Sequence, residues 1–172
     1  MTEFRLRLAT EADAGLAWEF IQDSIAARKR DGSAQWQNGY PNEQTVASDI
    51  DNGYGYMLEQ DGVPVAYAAI IFDVEPAYNE LEGTWLTDGE YVVIHRVARS
   101  AKSQTKGIAA QVLKLTEQLC RQKGIPSIRL DTNFDNLAML RTLDKLEYSY
   151  CGEVQYQGAP RKAFEKVISS GP

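Results

Sequence analysis

Apolar residues recur along this chain with two different periods, and the switches between them outline the fold. In residues 4–8, Phe4, Leu6 and Leu8 alternate with Arg5 and Arg7, the pattern of a strand with one wet face. Thr10, Glu11 and Asp13 then offer a capping hydroxyl and acids suited to a helix start. Leu16, Phe20, Ile21 and Ile25 share one helical face, which predicts a first helix to about residue 29, ended by Asp31, Gly32 and Ser33. Residues 34–41 form a loop, and a short second helix follows with Asn42 as cap, Val46 and Ile50 inward, and an end near Gly53. Residues 54–60 and 63–73 are strands joined by Asp61-Gly62, a strong hairpin signal. Residues 74–90 are acidic and aromatic without periodicity, and a loop of that length in a small domain is usually functional or disordered. The β-branched run at 91–98 predicts another strand. After it Ile108, Val112, Leu115 and Leu119 line one face of a long helix stopped by Gly124 and Pro126. A strand at 127–132, a helix at 136–146 and a closing strand pair at 148–157 and 161–168 complete the pattern, and residues 169–172 read as a frayed end.

The resulting order is β-α-α-β-β-β-α-β-α-β-β, an α/β chain with a mixed sheet and helices on both faces. The strands at 91 and 127 are joined by a helical crossover and should be parallel. With 172 residues, 44% of them apolar, and no linker or internal repeat, one domain over 1–172 is expected.

Charge narrows the partners. The net charge of -6 and pI of about 4.9 disfavour nucleic acid. Arg96, Arg99, Lys102 and Lys106 nevertheless cluster, as a site for a small anion or as a solvated charge run. Cys120 and Cys151 make no disulfide framework, and Cys120 near an apolar helix face reads as a buried thiol. One histidine and two separated cysteines offer no metal ligand set. No leader-like or membrane-length apolar run is visible, so no membrane partner and a cytoplasmic location are expected. The oligomeric state is open, a homodimer included.

The most informative stretch is the turn into the long helix. The first N–H groups of a helix lack partners within it, and its dipole adds roughly half a positive charge there, which attracts phosphate. Gly107 leaves the backbone open to close approach, Ala109 nearly so, and Lys102 and Lys106 add charge. A pyrophosphate is the kind of anion this end fits.

The segment Gln104-Thr105-Lys106-Gly107-Ile108-Ala109 resembles the Q/R-x-x-G-x-G/A signature of the GCN5-related N-acetyltransferase (GNAT) family, between a strand and a helix as that family requires. Arg129-Leu130-Asp131-Thr132-Asn133 and the stretch from Asn136 to Tyr148 resemble the family's next strand and helix, so that most of the chain is covered. The resemblance implies acetyl-CoA as co-substrate and transfer of its acetyl group to a primary amine of a small molecule or to an exposed amino group of a protein. It implies that the two parallel strands splay and admit the pantetheine arm. The backbone of Val97, Ala98 and Arg99 would hold pantetheine, and Gln104, Thr105, Lys106, Gly107, Ile108 and Ala109 the pyrophosphate. Asn136 matches the family's asparagine that reaches the pantetheine amide, and also reads as a plain helix cap. The resemblance further implies an acceptor pocket shaped by the connection between the first two helices. Trp36 and Tyr40 stand there as its wall, or as rings that plug the core. The loop at 74–90, with Trp85 and its acids, is a second candidate wall.

Acyl transfer needs a deprotonated nucleophile, support for the oxyanion and a proton for the thiolate. By the strand period, His95 shares a face with Val93 and Val97. It reads as a hydrogen-bonded core residue or as a general base. Asp131 would orient it, bind the amine, or bond a turn, and Glu90 is a third candidate, acting through water. Many members of the family carry a tyrosine in the last helix that protonates the thiolate. Aligned on Asn136, Leu143 stands at that position and Glu147 where a glycine is usual. The missing hydroxyl keeps a non-catalytic acyl-CoA sensor of the same fold in view. An unrelated nucleotide-binding domain is disfavoured, since neither G-x-x-x-x-G-K-[ST] nor G-x-G-x-x-G occurs.

Overall fold

The computed structural model of the protein describes residues 1–169. The expected fraying of 169–172 therefore lies, beyond Ser169, outside the described residues. The strands are β1 (Phe4–Leu8), β2 (Gly55–Gln60), β3 (Val63–Ile71), β4 (Glu82–Gly83), β5 (Val92–Arg99), β6 (Ser127–Thr132), β7 (Ser149–Tyr156) and β8 (Ala159–Val167). The helices are α1 (Ala14–Arg30), α2 (Glu43–Asp51), α3 (Ile108–Lys123) and α4 (Leu137–Lys145). Among the described residues these strands form one mixed sheet in the order β1-β2-β3-β5-β6-β8-β7-β4.

Local sequence accounts for most of the joints. Asp61 and Gly62 both have positive φ (50° and 82°), the twist that a two-residue hairpin needs between β2 and β3. Asn42 caps α2 by accepting from the Thr45 N–H at 3.0 Å. At the head of α1 a 3₁₀ turn (Glu11–Asp13) precedes the helix. Its Asp13 carboxylate takes the Thr10 N–H at 2.8 Å and the Arg7 guanidinium at 2.8 Å, pinning the helix to β1. Gly107 and Gly124 bracket α3 in the left-handed region, at φ 76° and 71°. One core lies between the sheet and α3 and α4, with Ile94, Leu113, Ile128 and Leu143 at its centre. A second lies under α1 and α2, with Phe20, Ile21, Met57 and Tyr67.

Two expectations need correction. Residues 74–90 do not stay a plain loop: they contain a 3₁₀ turn (Pro76–Glu80) and strand β4, which pairs antiparallel with β7. Close approach of two glycines makes this pairing fit. A Cβ on Gly83 would lie 2.0 Å from the Cys151 carbonyl oxygen, and one on Gly152 would lie 2.2 Å from that of Glu82. The second correction concerns β5. Arg96 has φ 58°, and the β3–β5 register slips between Tyr67 and Ala69, the mark of a bulge. The alternation of faces breaks there, so Val97 packs toward α3 whereas His95 stays with Val93 on the side of Tyr78.

The bulge is held from outside the strand. Arg96 donates to Asp49 of α2 through Nε at 2.8 Å and Nη2 at 2.6 Å, and to the Tyr40 hydroxyl at 2.6 Å. Asp49 also accepts from the buried Tyr67 hydroxyl at 2.6 Å. The parallel strands β5 and β6 pair only at Val92–Ile128 and Val93–Arg129, and from Ile94 onward they diverge.

Candidate active site

The divergence of β5 from β6 opens a path through the molecule. At one end stands the N-terminus of α3, where no side chain caps the first turn and the position of a Cβ on Gly107 is clear of any atom within 4 Å. Its free N–H groups therefore face open space, as anion binding requires. Gln104 and Lys106 are exposed beside it, and Thr105 is tied back to β2 through Gln60 at 2.8 Å. Ile108 is buried and anchors the helix.

From Ala109 an apolar groove of about 220 Å³ runs between α1, β5 and α4, lined by Ser24, Val97, Arg99, Asn136 and Met139. Along it, among the described residues, the β6-facing edge of β5 beyond Val93 has no strand partner. A thin chain with amide groups can pair with such an edge. Ala98 turns its side chain into the α1 core. Arg99 offers less than expected, because its N–H is already given to the Ser24 hydroxyl at 3.0 Å. Asn136 is the cap of α4, accepting from the Met139 N–H at 3.3 Å, and its amide also donates to Gln35 at 3.0 Å. The capping role is thus real, and the side chain borders the groove as well.

The groove leads into a smaller polar cleft of about 30 Å³, bordered by Trp36, Tyr40, His95, Asp131, Tyr156 and Arg161 among others. His95 is buried between carboxylates: Glu75 Oε2 is 3.6 Å from Nε2, and Asp131 Oδ1 is 3.8 Å from Nδ1. Its Nε2 is buried without a hydrogen-bond partner among the described residues. The neighbouring His95 holds the Glu75 carboxyl below the usual carboxylate range. Asp131 accepts from the buried Tyr78 hydroxyl at 2.5 Å. Tyr156 stacks on the imidazole, with centroids 4.8 Å apart, and shares a hydrogen bond with Tyr40 at 3.1 Å. Burial pushes the Tyr156 phenol well above its ordinary value.

Several sequence-derived candidates thus converge: His95 and Asp131, with Trp36 and Tyr40 from the α1–α2 connection, around one cleft. Two do not. Glu90 is exposed at the far end of β5, beside Phe72 and Ile125, away from His95. Trp85 is packed by its own side of the sheet: it gives its indole N–H to the Tyr78 carbonyl at 2.9 Å and lies 4.3 Å under the Arg129 guanidinium. Leu143 is fully buried in the core, and Tyr148 is buried there too, while Tyr150 is exposed against Phe164. None of the three brings a hydroxyl to the cleft. The structure adds Glu75 and Arg28, far apart in sequence, and Tyr156 and Arg161 from the β7–β8 hairpin. Only the acidic loop around Glu75 carried a hint. Among the described residues no cluster suited to a metal ion is found, and no helix is long and apolar enough to cross a membrane.

Comparison with known proteins agrees with this arrangement. The model of the acetyltransferase (GNAT) family matches residues 18–148. No match is found among curated proteins. Among solved structures, a GNAT-family acetyltransferase from Streptococcus agalactiae is 35% identical, covers 96% of each chain and has a TM-score of 0.86. One from Listeria monocytogenes is 20% identical over 96% of this chain and 95% of its own, at TM-score 0.76. The aminoglycoside acetyltransferase AAC(6')-Ib, solved with coenzyme A and kanamycin, is 20% identical over 96% and 95%, at TM-score 0.69. With a family model spanning most of the chain and a solved relative alike over nearly its whole length, this protein is a member of the GNAT family of acetyltransferases.

Proposed function

We propose that the protein is an acetyl-CoA-dependent N-acetyltransferase that moves an acetyl group to a primary amine. The observation that carries this reading is the continuous path from the uncapped α3 N-terminus, along the unpaired edge of β5, to His95. The α3 amides suit the pyrophosphate, the apolar groove suits pantetheine, and its inner end delivers a thioester to the cleft. Asn136, Val97 and the free β5 edge are the groups placed to hold the pantetheine amides.

The amine then attacks the thioester carbonyl, and the carbon–sulfur bond breaks as the tetrahedral intermediate collapses. His95 takes the proton released by the nitrogen, leaving the positive charge between Glu75 and Asp131. Asp131, fixed by Tyr78, and Glu75 act by holding the imidazole. With Leu143 at the usual tyrosine position, and with the Tyr156 phenol a weakened acid, the imidazolium returns the proton to sulfur. The products are an amide and a free thiol, and the protons balance. Free, buried Cys120 and Cys151 fit a reducing, cytoplasmic setting.

Release of free thiol from acetyl-CoA across an amine panel tests the reading. Turnover with at least one amine is expected, with a fall of about 100-fold or more in His95→Ala at unchanged CoA affinity. Tight CoA binding with no thiol release on any amine would instead make the protein a sensor.

A further inference from the structure

The cleft holds guanidinium donors that its own carboxylates leave unused. Arg161 is only 7% exposed and lines it, yet its Nη1 stops 3.5 Å from Asp131 Oδ2. The Nε of Arg161, the Nε of Arg28 and Asp131 Oδ2 are all buried without a hydrogen-bond partner among the described residues. Arg28 borders the cleft from α1, with its guanidinium stacked 3.8 Å over Trp36 and donating at 3.3 Å to the Ser24 carbonyl of its own helix. No carboxylate pairs with it among the described residues. Burial, and then the charge of Arg161, lower Arg28 to about 10 against the opposing pull of Asp31. Two guanidinium groups facing one space, one buried and one half-buried, are costly unless an anion joins them.

Arg28 also borders the apolar groove, but acetyl-CoA calls for neither charge in the cleft, since its phosphates suit the α3 N-terminus and its pantetheine arm is uncharged. The remaining visitor to the cleft is the acceptor. Guanidinium groups recognise carboxylate and phosphate through paired N–H donors, and these two have donors to spare. The cleft of about 30 Å³ has room for about two waters, which suits a compact charged end group.

Resting on the acetyltransferase reading, we propose that the acceptor amine carries an acidic group, which Arg28 and Arg161 hold while the amine faces His95. A carboxylate, as in amino acids, and a phosphate, as in phosphorylated amino alcohols, share this chemistry.

Paired acceptors decide it: free amino acids against their methyl esters, and phosphoethanolamine against ethanolamine, read as kcat/KM by thiol release. A preference of about tenfold to 100-fold for the acidic member of one pair is expected, and the pair that shows it identifies the acid. Arg28→Gln should reduce that preference to near unity. Arg161→Gln should do the same, and Arg28→Gln alone suffices if the loss of Arg161 beside Asp131 prevents folding. Equal rates within both pairs, or an undiminished preference in Arg28→Gln, would overturn the inference while leaving the transferase reading intact. Calorimetric binding of the same compounds to the CoA-loaded protein covers the other case. Arg28-dependent binding without turnover on any amine would uphold the acidic ligand and refute the transferase, whereas absence of binding by every acidic compound would refute the acidic acceptor and leave the transferase reading to the amine panel.

Discussion

Substitution at Gly107 separates the two properties that this residue combines. Its φ of 76° is left-handed, so any side chain carries a conformational cost, roughly 1–2 kcal/mol. A Cβ there meets nothing within 4 Å, so Gly107→Ala adds no collision and should lower stability by about that amount. Its CoA affinity should change little, since the α3 amides stay exposed. Gly107→Glu has the same backbone cost and also sets a carboxylate where the pyrophosphate is expected. Two unit charges about 4 Å apart near a protein surface repel by about 4 kcal/mol, or about 1,000-fold in affinity. Isothermal titration with CoA measures the affinities, and chemical denaturation without ligand measures the stabilities. The reasoning fails if the alanine and glutamate variants lose CoA affinity equally, or if the glutamate variant binds CoA like the parent.

The other predictions concern the supports of the site. Asp49→Asn leaves Arg96 buried without its counter-charge and should cost about 3–5 kcal/mol in urea denaturation; a cost below about 1 kcal/mol would mean that the bulge stands unaided. Glu75→Gln should lower turnover and shift the pH–rate profile at unchanged CoA affinity, while Glu90→Gln should do neither, and the reverse result would restore Glu90 as the working carboxylate. Hydrogen bonding from Arg7 lowers Asp13 from 3.8 to about 2. Its contribution to stability is therefore complete above the unfolded value and disappears as pH falls from about 4 through about 2. The stability difference between the parent and Asp13→Asn should shrink over that window, and a constant difference down to pH 2 would refute the linkage.

The parts of the fold written in local residues were legible in advance. Asp61-Gly62, the Asn42 cap and the Gly107 and Gly124 ends of α3 each act within a few residues, so pattern alone locates them. The bulge was not legible, because nothing in Val93 to Val97 signals it. Its cause is Asp49, 47 residues away, which holds Arg96 in a conformation that a strand residue would otherwise avoid. Missing that one inserted residue put Val97 on the wrong face. The pairing of β4 with β7 was hidden for the same reason, since it depends on Gly83 and Gly152 meeting across the sheet. In the cleft, His95, Asp131, Trp36 and Tyr40 came from position within recognised elements. Tyr156 and Arg161 share the closing hairpin, but they, Glu75 and Arg28 reach the cleft only through tertiary folding, and no spacing in the sequence joins the hairpin to the other two.

The order of strands has a consequence for self-association. A sheet invites fibrous stacking of copies where a long, flat margin presents unsatisfied amides, and here neither outer margin does. One is the five-residue β1, which carries Arg5 and Arg7; on the other, the two-residue β4 interrupts the margin by covering the middle of β7. Among the described residues, a stretch of unpaired β5 edge lies instead inside the molecule, between β5 and β6, beside a slot bordered by α1 and α4. The chain can thus retain an adhesive edge for a slender guest without the hazard of polymerising through it.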